Sequence, residues 1–217
     1  MPPMPSHPRE SGAEVVPGNS PALLRALGHE VGNLLAGIRL SAHLLVVGEA
    51  GRDAAAEIEE LSDRAGALMA HVRPLLQPGS EDQRARLGAA ELLEGLTLAL
   101  EDRHKGSTRL SIEPPAAGLP ATRGDSGALH HVLVSLALGA LEAKPEGGVR
   151  VRARPRGGNL VVAVEDDGED LSSGSQVPVG RMLDVRIAAA VLERDGGRVV
   201  VASTETGNRI ELVLTGA

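Results

Sequence analysis

Apolar residues recur in alternating steps of three and four across residues 20–47, at Leu24, Leu27, Val31, Leu34, Ile38, Ser41 and Leu45. That spacing predicts an amphipathic α-helix, with Ser20 as N-cap, Pro21 at its first position and Gly48 as its stop. After a short turn, Ile58, Leu61, Ala65, Leu68, Val72 and Leu75 repeat the heptad over about residues 54–76. Two helices joined this way form a hairpin. A lone hairpin leaves part of each seam uncovered, so two copies are expected to pair into a four-helix bundle through residues 20–77. Packing of the hairpin on the chain's own C-terminal part is the alternative.

The texture changes after Glu81-Asp82-Gln83-Arg84, a charged linker. Helices are predicted at 88–102 and 126–143, and a strand at 108–113. Two further strands, 148–154 and 160–165, turn at Gly157-Gly158. A helix over 181–194 ends at Gly196-Gly197, before strands at 198–203 and 209–214. Residues 1–18 are rich in Pro, Ser, Gly and Glu without periodicity and predict a flexible tail. The expected fold class is α+β. A flexible tail (1–18) precedes a helical hairpin (19–78) that forms a dimeric four-helix bundle, and an α/β sandwich (84–217) follows.

Composition narrows the function. The 217 residues include no Phe, Trp or Tyr, which removes the stacking platform of a single-strand nucleic-acid binder. A formal net charge of −7 argues against binding a phosphate backbone. Absence of cysteine excludes disulfides and thiolate chemistry. No uninterrupted apolar run suggests a membrane span and no signal-peptide core follows Met1, so a soluble cytoplasmic protein is expected.

One residue stands out against this background. At ~100° per residue, His29 points roughly 190° away from the centre of the first helix's apolar stripe. It is expected to face water among the small residues Ala22, Ala26, Gly32 and Ala36, with Arg25 and Asn33 close by. A reactive imidazole in a low, uncluttered patch suits a phosphoryl carrier, because a protein partner must bring its own phosphate up to the ring. His43 also faces away from the seam but has no acidic residue after it. His71 flanks the second seam, and His130-His131 read as helix surface.

His29-Glu30-Val31-Gly32-Asn33 resembles the phospho-acceptor motif of bacterial sensor histidine kinases, with Leu34 where the motif has proline. The likeness covers about residues 20–217: a phosphotransfer hairpin, then a domain similar to the kinase ATPase. Gly124-Asp125 and Leu129, Val132, Leu133, Leu136, Ala140 and Ala143 resemble the framework of the kinase N-box, whose two asparagines fall on Ser135 and Gly139. Residues 164–171 resemble the Asp-x-Gly-x-Gly box; Asp166 and Gly168 match, but Asp170 replaces the second glycine. Met182 and Asp184 stand where the second glycine-rich box falls, and the phenylalanine box has no counterpart.

This combination is similar to the ChpT-type histidine phosphotransferases, dimers whose kinase-like domain is degenerate. The resemblance implies transfer through His29 between receiver-domain aspartates, without ATP. The receivers would belong to a hybrid histidine kinase and to response regulators. No cofactor is implied, Mg²⁺ coming from the partner receiver, and neither nucleic acid nor membrane is an expected partner. Glu30 is expected to orient the imidazole, Arg25 to offset phosphoryl charge, and Asn33 to hydrogen-bond to the transferring group or to a water. A divergent ATP-dependent kinase and a non-enzymatic pseudokinase scaffold are the alternatives.

Overall fold

Helices α1 (Pro21–Val47) and α2 (Arg52–Leu76) form the hairpin that the two heptad runs predict. The computed structural model describes residues 11–18, 21–47, 52–76, 84–104, 109–144, 146–168, 171, 179–204 and 206–217. Leu23, Leu34 and Ser41 of α1 are buried, as are Ala54, Leu68 and Val72 of α2. Gly37 lets the helices close: a Cβ there would stand 2.8 Å from the Leu61 side chain. The buried Ser41 hydroxyl donates to Glu57 at 2.7 Å, which satisfies a polar group inside the seam. Only part of the predicted stripe faces α2. Val31 and Leu45 keep 38% of their surface exposed, and Leu35 beside them keeps 60%. The side chains of Leu24, His71 and Leu75, the Ser20 cap and the turn at 48–51 lie outside the described residues.

The second unit is an open sheet with helices on one face. Its strands are β1 (Ser11–Val16), β3 (Leu110–Ile112), β5 (Val149–Arg156), β6 (Asn159–Asp166), β7 (Arg198–Thr204) and β8 (Gly207–Leu214). They lie in the order β1-β7-β8-β6-β5-β3, with every neighbouring pair antiparallel except β3 and β5. β2 (Arg84–Leu87) and β4 (Thr122–Asp125) form a separate two-stranded ladder. Gly157 and Gly158 turn β5 into β6 at φ 58° and 83°, a left-handed pair that only glycine adopts without strain.

Three helices, α3 (Ala89–His104), α4 (Ser126–Ala143) and α5 (Val179–Glu193), cover the sheet. Asp125 caps α4 by accepting the Ala128 amide at 3.0 Å. Leu92, Leu96, Leu133, Leu136 and Leu192 meet Val151, Leu160, Val162, Ile210 and Leu212 in a core built without a single aromatic ring. Among the described residues α4 is the one helix long and apolar enough to cross a membrane; eight of its residues are buried in this core.

One expectation is corrected. Residues Ser11–Val16, read as part of a flexible tail, form β1 on the edge of the sheet, and Val16 enters the core at 8% exposure. The neighbouring edge strand supplies the hydrogen-bonding template that the segment's own pattern does not signal. The hairpin packs on the chain's own α5, as the alternative reading of its seams expects: Leu23, Leu34, Leu68 and Val72 form a second apolar cluster with Leu183 and Ile187.

Burial of Ile187 between α5 and the hairpin sets a testable cost. Ile187→Ala is expected to lower the unfolding free energy by about 2–4 kcal/mol, read by urea denaturation. A change below about 0.5 kcal/mol, the usual size of a surface substitution, would place this contact outside the folded core.

Candidate functional site

His29 is exposed on α1. Its Nδ1 lies 3.0 Å from Asn33 Nδ2, one turn along the same helix. A neutral imidazole has one donor and one acceptor nitrogen. The amide NH₂ serves a bare Nδ1; turned over, its carbonyl accepts from Nδ1–H and leaves the Nε2 lone pair facing solvent. One side chain thus supports both tautomers, and the second is the one that attacks an electrophile from the open side.

Space around the ring comes from glycine. A Cβ placed on Gly28 or on Gly32 would meet nothing within 4 Å, and Ala36 is exposed two turns on. Arg25, one turn before His29, is exposed on the same face. Leu40 continues that face at i+11 with 61% of its surface in solvent. His29, Asn33, Arg25 and Leu40 therefore share one exposed surface.

Glu30 does not join them. Its carboxylate lies 3.7 Å from the Arg64 guanidinium on α2, and the side chain of Glu30 is 20% exposed. Adjacent residues on a helix point about 100° apart, so the expected carboxylate partner of the imidazole turns inward across the hairpin. The ring's partner is Asn33. Arg64 was not predicted, since a single helix pattern does not reveal which residue stands opposite Glu30.

The other histidines are placed differently. His43 is exposed on α1. His130, read as helix surface, is wedged between α4 and α3, its Nδ1 3.0 Å from the Ser126 carbonyl and its Nε2 3.3 Å from the Glu91 carbonyl. Gly95 provides the room, because a Cβ there would stand 2.0 Å from the His130 ring. Among the described residues no three His, Asp or Glu side chains gather where they would hold a metal ion.

A second constellation lies at the ends of β6 and β8. Asp166 is buried against Arg181 in the first turn of α5, their side chains 1% and 5% exposed, and the guanidinium donates to Oδ2. Oδ1 accepts the Gly168 amide at 2.8 Å and the Asn208 amide at 3.1 Å. Asn208 in turn accepts the Leu171 amide at 2.8 Å. Both oxygens of Asp166 are thus engaged by the protein itself.

Nearby, Gly139 on α4 faces α5: a Cβ on it would come 3.3 Å from the Asp184 carboxylate. Ser135 is buried on the inner side of α4. Met182 packs against the main core and, like Asp184, lies within α5, so helix stands where the kinase box has a glycine loop. Asp170 lies outside the described residues. Sequence reading missed Arg181, although a signal existed. It falls four residues before Val185 on a buried stripe, where an arginine requires an anionic partner.

No protein-family model and no curated protein matches the chain. Solved structures do. The chain is similar to the Acinetobacter baumannii histidine kinase AdeS, with 16% identity over 87% of this chain and 98% of that one, at a TM-score of 0.58. It is also similar to the histidine kinase ThkA in complex with the response regulator protein TrrA, with 17% identity over 89% of this chain and 63% of that one, at a TM-score of 0.64. The chain has a histidine-kinase fold. Full-length ShkA in complex with AMPPNP matches at 20% identity over 91% of this chain and 47% of that one, at a TM-score of 0.53. At 87–91% of this chain, these likenesses extend beyond the α/β domain alone.

The Asp166–Arg181 pair yields a prediction. Removing one member of a buried ion pair leaves an uncompensated charge, so Arg181→Met is expected to cost about 3–5 kcal/mol in urea unfolding. Adding Asp166→Asn to that variant should recover a large part, since the amide oxygen still accepts the Gly168 and Asn208 donors without a charge. A double variant less stable than Arg181→Met would contradict this account.

Proposed function

We propose that this chain is a histidine phosphotransferase of a two-component phosphorelay, carrying a phosphoryl group between receiver-domain aspartates on His29. One contrast carries the reading: His29 lies open on α1, while Asp166, in the box that should meet a nucleotide, is consumed inside the protein by Arg181. The remaining residues of that region do not fit a Mg²⁺-nucleotide either. Gly139 has no side chain to hold a metal, and Met182 and Asp184 lie within helix α5 where the kinase box has a glycine loop. No step of the proposed reaction therefore passes through ATP, and Mg²⁺ belongs to the acidic pocket of the partner receiver.

The chemistry needs little else. The Nε2 lone pair of His29 attacks the phosphorus of an aspartyl phosphate, the bond from phosphorus to the carboxylate oxygen breaks, and the carboxylate leaves. The phosphoryl group then sits on nitrogen. Attack by the aspartate of a second receiver reverses the sequence and frees the imidazole. Such transfers depend chiefly on alignment and charge. Asn33 holds the ring and its tautomer, and Arg25 offsets charge on the phosphoryl oxygens. Glu30, drawn to Arg64, acts through the hairpin's packing instead of on the ring.

The partners follow from the surfaces. Leu40, on the His29 face, offers an apolar contact to a docking receiver. Val31, Leu35 and Leu45 form a separate exposed apolar stripe on α1, which suits pairing with a second copy into a four-helix bundle. A cytoplasmic setting among receivers of hybrid kinases and response regulators goes with this reading.

The deciding experiment presents the purified chain with radiolabelled phospho-receivers. Label is expected to move onto the wild type and not onto His29→Ala. A wild type that stays unlabelled with every cognate receiver would leave only a docking scaffold. A second test uses the open space at Gly32. Gly32→Lys should raise helix stability by roughly 0.5–1 kcal/mol while slowing transfer at least ~10-fold by obstructing the receiver. Unchanged transfer would mean that the receiver docks elsewhere.

A further inference from the structure

The chain before α1 grips the α/β domain at three successive points. First, β1 adds to the edge of the sheet, with Val15 opposite Val200 and Val16 opposite Val199, and Val16 enters the main core. Second, Gly18 crosses the back of α5. Its amide donates to Glu193 at 2.7 Å, and a Cβ on it would stand 2.3 Å from the Ala189 carbonyl carbon and 2.4 Å from the Ala190 Cα. Only a residue without a side chain passes that close to a helix backbone. Third, α1 starts at Pro21, and Leu23, with Leu27 packed beside it, meets Leu183, Ile187 and Ala190 on α5.

Without the strap, the hairpin would be held by the link from α2 to β2 and by the contacts of Leu34, Leu68 and Val72 with Leu183 and Ile187. With the strap in place it is held from both ends of its sequence, by backbone hydrogen bonds and by apolar packing. Because the strap is continuous with α1, its binding is intramolecular and its effective concentration at the sheet edge is high.

We propose that residues 11–18 form a strap that locks the hairpin onto the α/β domain, so that His29 is presented to its receiver in one fixed orientation. The ordering cost of placing hairpin and domain side by side is met during folding and is not charged again when a receiver docks. The lock deepens the phosphotransfer reading for its activity readout only; its geometric test stands apart.

The chain contains no cysteine, so two introduced ones take spin labels uniquely. Arg39→Cys on α1 and Glu94→Cys on α3 are both exposed and lie on opposite sides of the proposed lock. Doubly labelled chain, diluted in excess unlabelled chain to suppress distances between copies, is expected to give one narrow distance distribution. Val16→Asp with Gly18→Val places a charge in the core and a side chain against α5, and should broaden that distribution. Should the double variant not fold by circular dichroism, Gly18→Val alone is read the same way. An equally narrow distribution in the strap variant overturns the lock.

Activity gives the second readout. Receiver-dependent transfer should fall at least ~10-fold in the strap variant, on the scale that lost preorganisation costs. Labelling of His29 by phosphoramidate, which needs no docking surface, should be unchanged. Equal losses with both donors would overturn a role in presentation. A wild type inert toward every receiver, with the distance result intact, would sink the phosphotransfer reading and leave the lock standing.

Discussion

Helix α5 is buried on two sides, and the arrangement of the whole chain depends on that. Val185, Ala188, Ala189 and Leu192 face the sheet core, while Leu183 and Ile187 face the hairpin. Small residues on the helix make both approaches close: Ala189 and Ala190 let the chain at Gly18 lie directly on the α5 backbone. The first turn of the same helix delivers Arg181 to Asp166. One element therefore joins hairpin to domain and fills the space beside the box that resembles a nucleotide site. A polar residue introduced on either apolar face would disturb both at once.

Electrostatics divide the domain in a similar way. On the helix-covered side the buried Asp166–Arg181 pair is isolated and fully hydrogen-bonded at the carboxylate, the condition under which a buried charge is tolerated. The opposite face of the sheet carries arginines on alternate positions of β5. Arg152 and Arg209 bracket Glu165, and Arg154 and Arg156 bracket Glu211. Arg154 reaches across β6 to β8, so its aliphatic stem shields Val161, which has no exposed surface although it points away from the helices. The apolar residue on this charged face is thus kept from water without a third layer.

Much of this was legible from periodicity. The heptads of α1 and α2, the span of α4 and the glycine turn between β5 and β6 are local signals, and the structure has them at the expected residues. What escaped was set by partners distant in sequence. Glu14-Val15-Val16 has no alternating pattern, and it is the edge of β7 that makes it a strand. β2 and β4, four residues each, are too short to carry a period. The openness of His29 could be inferred from one helix. The ring's contact with Asn33 is a one-turn neighbour on the same helix, whereas the turn of Glu30 to Arg64 depended on where α2 lies.

The central claim is that His29 receives its phosphate from another protein because its own domain no longer supplies one. The most direct measurement incubates the purified chain with radiolabelled ATP and Mg²⁺ in the absence of any partner, followed by acid and alkali treatment to identify phosphohistidine. The account predicts no incorporation above that of His29→Ala. Acid-labile, alkali-stable label on the wild type, lost in His29→Ala, would contradict it.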